Sequence, residues 1–128
     1  MKKVSWLWTV LFTAETAFLL YMAVQPSTSV PGFHLPFFRG GDFEHFLAYL
    51  VYGILGYKTF SLRFGPEKGF QAALLVCCLF GGITEGIQMF VPTRTADLVD
   101  WLVDALGAGT GVLALKLRIQ ELARGMLQ

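Results

Sequence analysis

FQAALLVCCLFGGITEGIQMFV (70–91), PTRTAD (92–97) and LVDWLVDALGAGTGVLALKL (98–117) follow one another in the second half of the chain, two apolar runs joined by six residues. A hydrocarbon layer about 30 Å thick takes roughly 20 helical residues to cross. Each run meets that length, and so short a joint makes the two an antiparallel pair in contact at their ends. Upstream, Val4 to Val24 and Phe43 to Phe60 pass the same test. The runs are continuous and lack the in-and-out alternation of barrel strands. The expectation is an all-α, polytopic membrane bundle of four transmembrane helices, a single domain over 1–128 with spans near 4–24, 43–60, 70–91 and 98–117.

Composition agrees. Of 128 residues 55% are hydrophobic, 15% aromatic and only 15% charged, on the apolar side of globular usage. The net charge of +1 comes with no basic run and no interleaving of aromatic with basic residues, so nucleic acid is excluded as a partner. Where the cations sit matters more than their sum. Lys2 and Lys3 precede span one, Lys58, Arg63 and Lys68 occupy or flank the second loop, and Lys116, Arg118 and Arg124 close the chain. Arg39 and Arg94 stand alone in loops one and three. Lys and Arg resist translocation, which puts both termini and the second loop in the cytoplasm, an N-in/C-in topology.

Span one has the basic start of a signal peptide. Its apolar run is longer than a signal core and no small-x-small site follows, so it is read as retained. The first loop contains Pro31, Pro36 and the apolar Phe33, Leu35, Phe37 and Phe38, which fit the membrane interface. Arg63 to Gly69 reads as a tight cytoplasmic turn. Gly82-x-x-x-Gly86 and Gly107-x-x-x-Gly111 each put two small residues on one helix face, a pattern that lets neighbouring backbones approach. Cys77 and Cys78 have no second pair to complete a metal site and read as small apolar packing residues.

With that orientation the intramembrane polar residues gather in the outer half. His45 opens span two and Tyr49 follows one turn below on the same face. Glu85 lies roughly 22 Å from the inner start of span three, with Gln88 three residues on. Asp97, Asp100 and Asp104 share one face of span four, and Asp104 reaches roughly 9 Å below the outer boundary. Carboxylates so placed repel one another unless protons, a cation or Arg94 compensates them, and one guanidinium does not neutralise the whole group. Some of these acids have plainer uses. Asp97 reads as a cap of span four, Asp42 and Glu44 as caps of span two, and Asp100 as either a first-turn acid or a site residue. Glu85 and Asp104 lie inside the apolar span, where an ionisable residue points to function. Glu15, near the midplane, reads as a glutamate bonded to a neighbouring helix.

Taken together these residues resemble the VanZ-like family of small bacterial membrane proteins, named for a teicoplanin resistance protein. Its first motif, histidine, tyrosine four residues later and then glycine, is similar to His45, Tyr49 and Gly53 or Gly56. Its longer motif is similar to Glu85, Gln88, Pro92-Thr93-Arg94, Asp100, Asp104 and Gly107 to Gly111. The lysine that often precedes the family's histidine is replaced by Asp42-Phe43-Glu44, and Asp104 stands where asparagine is common. The resemblance implies action at the outer face of the cell envelope, with some members linked to reduced glycopeptide susceptibility.

Three functions compete. The leading one is a non-catalytic protein of the cell membrane whose outer cleft, made by His45, Tyr49, Glu85, Gln88, Arg94, Asp100 and Asp104, binds an envelope lipid, a lipid-linked cell-wall precursor, a cation or an envelope protein. The second is an intramembrane enzyme acting on a lipid-linked substrate, with histidine and carboxyls for acid-base work or for a divalent metal. A single histidine near the cluster and the lack of a nucleophile set beside a base weigh against it. The third is a proton-coupled transporter using Glu15, which four short spans without interrupted helices or an inverted repeat do not favour.

Overall fold

The computed structural model describes residues 2–26 and 41–126, with the side chains of residues 2–4 left out. The predicted interfacial segment with Phe33, Leu35, Phe37, Phe38 and Arg39 lies outside the described residues. Four helices follow in order: α1 (Lys2–Ala23), α2 (Asp42–Phe64), α3 (Pro66–Gln88) and α4 (Leu98–Gly125). There is no strand among the described residues. Three of the helices, α1, α3 and α4, are long and apolar enough to cross a membrane.

Why α2 is the exception follows from its place. It packs against all three other helices, whereas α1 and α4 do not touch. A helix surrounded by others faces little lipid, so its buried positions are Tyr49, Tyr52, Gly53, Gly56, Tyr57 and Thr59 rather than leucines. Its 23 residues still extend about 34 Å, the depth of a bilayer core. The peripheral helices instead expose apolar side chains such as Trp6, Leu7 and Phe18 on α1, Leu75, Leu79 and Ile83 on α3, and Leu102 and Leu106 on α4.

Glycine decides the closest helix pair. A Cβ on Gly107 would strike the Phe46 carbonyl, one on Gly111 the Leu50 carbonyl, and one on Gly53 the Ala108 carbonyl. Backbones of α2 and α4 therefore touch along this seam, as expected for the glycines of span four. The expectation fails for span three. A Cβ on Gly86 would meet nothing within 4 Å, and one on Gly82 would only reach Trp101 at 3.6 Å. That face of α3 has no helix backbone beside it, and it is Gly81, with Trp101 and Asp104 at 3.2 and 3.4 Å from a built Cβ, that lets α4 come near.

The turn between α2 and α3 is also tighter than expected. α2 runs on to Phe64 and α3 begins at Pro66, so the predicted loop shrinks to Gly65, whose φ of 84° reverses the chain. Proline at the first helical position costs α3 no hydrogen bond. The polar residues that looked like loop, Arg63, Glu67 and Lys68, are helical, and Lys116 Nζ donates to Glu67 Oε2 at 2.9 Å across that end. On the same half, Thr59 donates to the Trp8 carbonyl at 3.0 Å and Lys58 lies over the Trp8 ring.

The middle of the bundle is aromatic. Phe12 stacks on Tyr52 with ring centroids 4.7 Å apart, and Tyr52 touches Phe80 and Tyr49 at 5.2 and 5.8 Å. Tyr52 OH finds Thr16 Oγ1 at 3.1 Å, so the phenol tucked into this cluster keeps a polar partner. Above it, at the end formed by the start of α2, the end of α3 and the start of α4, lies the polar constellation.

Candidate functional site

The site starts from helix ends. α2 begins after Gly41 at φ 101°, which makes Asp42 and Glu44 first-turn acids rather than the caps expected of them. Both carry favourable charge at the positive end of the helix dipole. His45 and Tyr49 follow at one-turn spacing and face the bundle. α4 begins with Asp97 as its N-cap, the carboxylate accepting from Val99 N–H at 2.8 Å. The backbone N–H of Asp97 then donates to Glu85 Oε2 at 3.1 Å, which ties the end of α3 to the start of α4.

Three of the expected residues meet closely. His45 Nδ1 and Asp104 Oδ1 are 2.9 Å apart, a hydrogen bond between α2 and α4. Glu85 joins them from α3: the three residues each offer a ligating atom within 4.8 Å of the others. Asp104 is 1% exposed and Glu85 6%, so both carboxyls are withdrawn from solvent and from lipid. Asp100, one turn above Asp104 and half-buried, acts electrostatically on all three.

The remaining residues line a separate space. A cavity of about 250 Å³ is lined by Phe18, Leu19, Met22 and Ala23 of α1, by Glu44, His45, Ala48 and Tyr49 of α2, by Thr84 and Gln88 of α3 and by Arg94. It is larger than the roughly 150 Å³ cavities that take up a benzene ring. Its α1 wall is hydrocarbon, while α2, α3 and Arg94 set a few polar groups into a lining that is mostly apolar. His45 belongs to both the cavity and the carboxyl group, and is the link between them.

Arg94 is not where electrostatics alone would put it. Its Nε–H donates to the Gln25 carbonyl at 2.8 Å, closing the end of α1 onto the loop between α3 and α4. Among the described residues no ion pair joins it to Glu85 or Asp104. The preceding Thr93 has φ 76°, a left-handed conformation that costs a β-branched residue about 1 kcal/mol or more. That kink turns the loop so that Arg94 faces α1 and the cavity.

Two contributors went unseen in the sequence. Thr84 accepts a 2.8 Å hydrogen bond from Tyr49 OH while its own hydroxyl donates to the Gly81 carbonyl at 2.9 Å. Trp101 donates from Nε1 to the Cys78 carbonyl at 3.0 Å and holds α4 against α3. A hydroxyl beside Glu85 in an apolar run was the available signal for Thr84. Glu15, expected to bond to a neighbouring helix, has no hydrogen bond to another described residue; α1 is the peripheral helix and leaves it half-buried at the rim. Cys77 packs in the aromatic core with Tyr52, in keeping with the apolar role read for it.

Comparison with known proteins gives a family model described as VanZ/LLP1, which matches residues 4–119. Among curated proteins, an uncharacterised protein of the fission yeast Schizosaccharomyces pombe is 33% identical over 70 residues, 54% of this chain and 42% of the relative. The chain thus spans less than half the length of that relative. No solved structure matches.

Proposed function

The chain belongs to the VanZ/LLP1 family, and from its fold and cavity we propose that it is a four-span protein of the cell membrane, with both termini inside, that binds the headgroup end of an envelope lipid at its outer face. The fourth span is α2. Its buried tyrosines, glycines and Thr59 are covered by the other three helices, so it needs less lipid-facing hydrocarbon than they do. The cation distribution supports the sidedness: Lys58, Arg63, Lys116 and Arg118 lie toward the end of the bundle opposite His45 and Glu85.

The observation that carries the ligand class is the two-sided cavity. Phe18, Leu19 and Met22 offer an apolar wall to the first methylenes of a chain. Arg94, Gln88 and His45 offer donors to an anionic headgroup, with the arginine as the strongest. A volume near 250 Å³ suits a headgroup and its linkage rather than a whole lipid.

The test is lipid identification by mass spectrometry on the full chain purified in mild detergent. Wild type is expected to carry an anionic phospholipid that Arg94→Ala loses by about tenfold while remaining folded, the size of one charge-assisted contact. Equal lipid content in the two proteins, or a lipid-linked wall precursor as the retained species, would count against it.

A further inference from the structure

Beside the cavity, the carboxyl group poses its own problem. Glu85 uses Oε2 for the Asp97 N–H, and Asp104 uses Oδ1 for His45. Their second oxygens, Glu85 Oε1 and Asp104 Oδ2, are buried without a hydrogen-bond donor among the described residues. Carboxylate oxygens in a poorly hydrated interior are costly to leave so, and two of them close together more costly still. Arg94 is engaged elsewhere.

We propose that His45, Glu85 and Asp104 together hold one divalent first-row metal ion, of the zinc or manganese class, where α2, α3 and α4 meet. The geometry needs little change. Ligating atoms from all three lie within 4.8 Å of one another, and ligands bound at about 2.0–2.2 Å are roughly 3–4 Å apart, so side-chain adjustments of about 1 Å gather them. Charge matches as well: two carboxylates and a neutral imidazole balance one divalent cation, whereas a single proton on His45 balances only one of them. The donor set selects the metal. One imidazole nitrogen with carboxylate oxygens suits zinc and manganese; calcium asks for more oxygens, and copper(I) for thiolate or thioether sulfur. Glu85 is supported in the way ligands usually are, by the Asp97 N–H, and Asp100 adds negative charge one turn from Asp104. His45 on the cavity wall gives the ion a way in.

The site shares His45 with the cavity wall, but its two carboxyls lie outside the cavity lining and its metal does not rest on a bound lipid. It is tested on the full chain in detergent, stripped with a chelator and titrated with Zn²⁺ and with Mn²⁺, metal content being read by mass spectrometry after equilibrium dialysis. One ion per chain is expected, bound at least about tenfold more weakly by Glu85→Gln and Asp104→Asn, as even loss of a supporting contact produces. Both amides can still accept the hydrogen bonds from Asp97 N–H and His45, so helical content should hold. Glu67→Gln, at the far end of the bundle, should bind as wild type does. If Asp104→Asn does not fold, Co²⁺ absorption bands present in wild type and lost in Glu85→Gln decide the matter. No saturable binding of either ion, or unchanged affinity in Glu85→Gln, overturns the proposal. A protein that keeps its lipid but takes up no ion refutes the metal site alone, and an Arg94→Ala protein that loses its lipid should keep the ion.

Discussion

Tyr49 and Thr84 show how a bundle of this kind specifies its interior with single hydroxyls. The phenol donates to Thr84, whose own proton goes to the Gly81 carbonyl, so the two ends of the pair are not equivalent. Tyr49→Phe removes only the donor and should cost about 1 kcal/mol, because Thr84 keeps its bond to Gly81. Thr84→Val strands a phenol that is 3% exposed and should cost more, about 1–3 kcal/mol. Thermal unfolding of the two variants in the same detergent checks the order, and a Thr84→Val protein as stable as Tyr49→Phe would contradict it. The same logic explains what sequence reading could reach here. The four-residue spacing of His45 and Tyr49 was readable because it lies within one helix. That Tyr49 reaches Thr84 and His45 reaches Asp104 depends on how three helices are rotated against one another, which no single helix encodes.

Between helices, glycine spacing alone proved ambiguous. Gly82 and Gly86 present the same pair of small residues as Gly107 and Gly111, yet only the second pair has a backbone against it. The difference lies in the neighbour. Gly111→Val should drive α2 from α4 and cost about 3 kcal/mol or more, beyond the usual overpacking range because the obstacle is a carbonyl rather than a movable side chain. Gly86→Ala meets open space and should be neutral or stabilising by up to about 1 kcal/mol from helix propensity. Comparable losses in both variants would mean that α3 packs on another surface. Helix existence was plain from apolar length, but helix ends were not. Arg63, Glu67 and Lys68 lie at the adjoining ends of α2 and α3, and a cluster of polar residues there looks like a loop although Gly65 alone makes the turn.

Over the whole bundle, burial and charge divide the molecule into two ends with different work. One end is held by Lys116 with Glu67, a half-exposed pair worth at most about 1 kcal/mol, and by Lys58 over Trp8. The other end concentrates His45, Glu85, Asp100 and Asp104 beside a cavity that Arg94 overlooks. Stability should therefore be insensitive to Glu67→Gln, while lipid and metal occupancy respond to the opposite end. The account requires that this polar end face outward, and cysteine accessibility measures it. In a Cys77→Ala, Cys78→Ala background, Thr95→Cys and Lys68→Cys place one exposed thiol at each end. An impermeant maleimide added to intact cells should label Thr95→Cys at once and Lys68→Cys only after the membrane is opened; labelling in the reverse order would contradict the account.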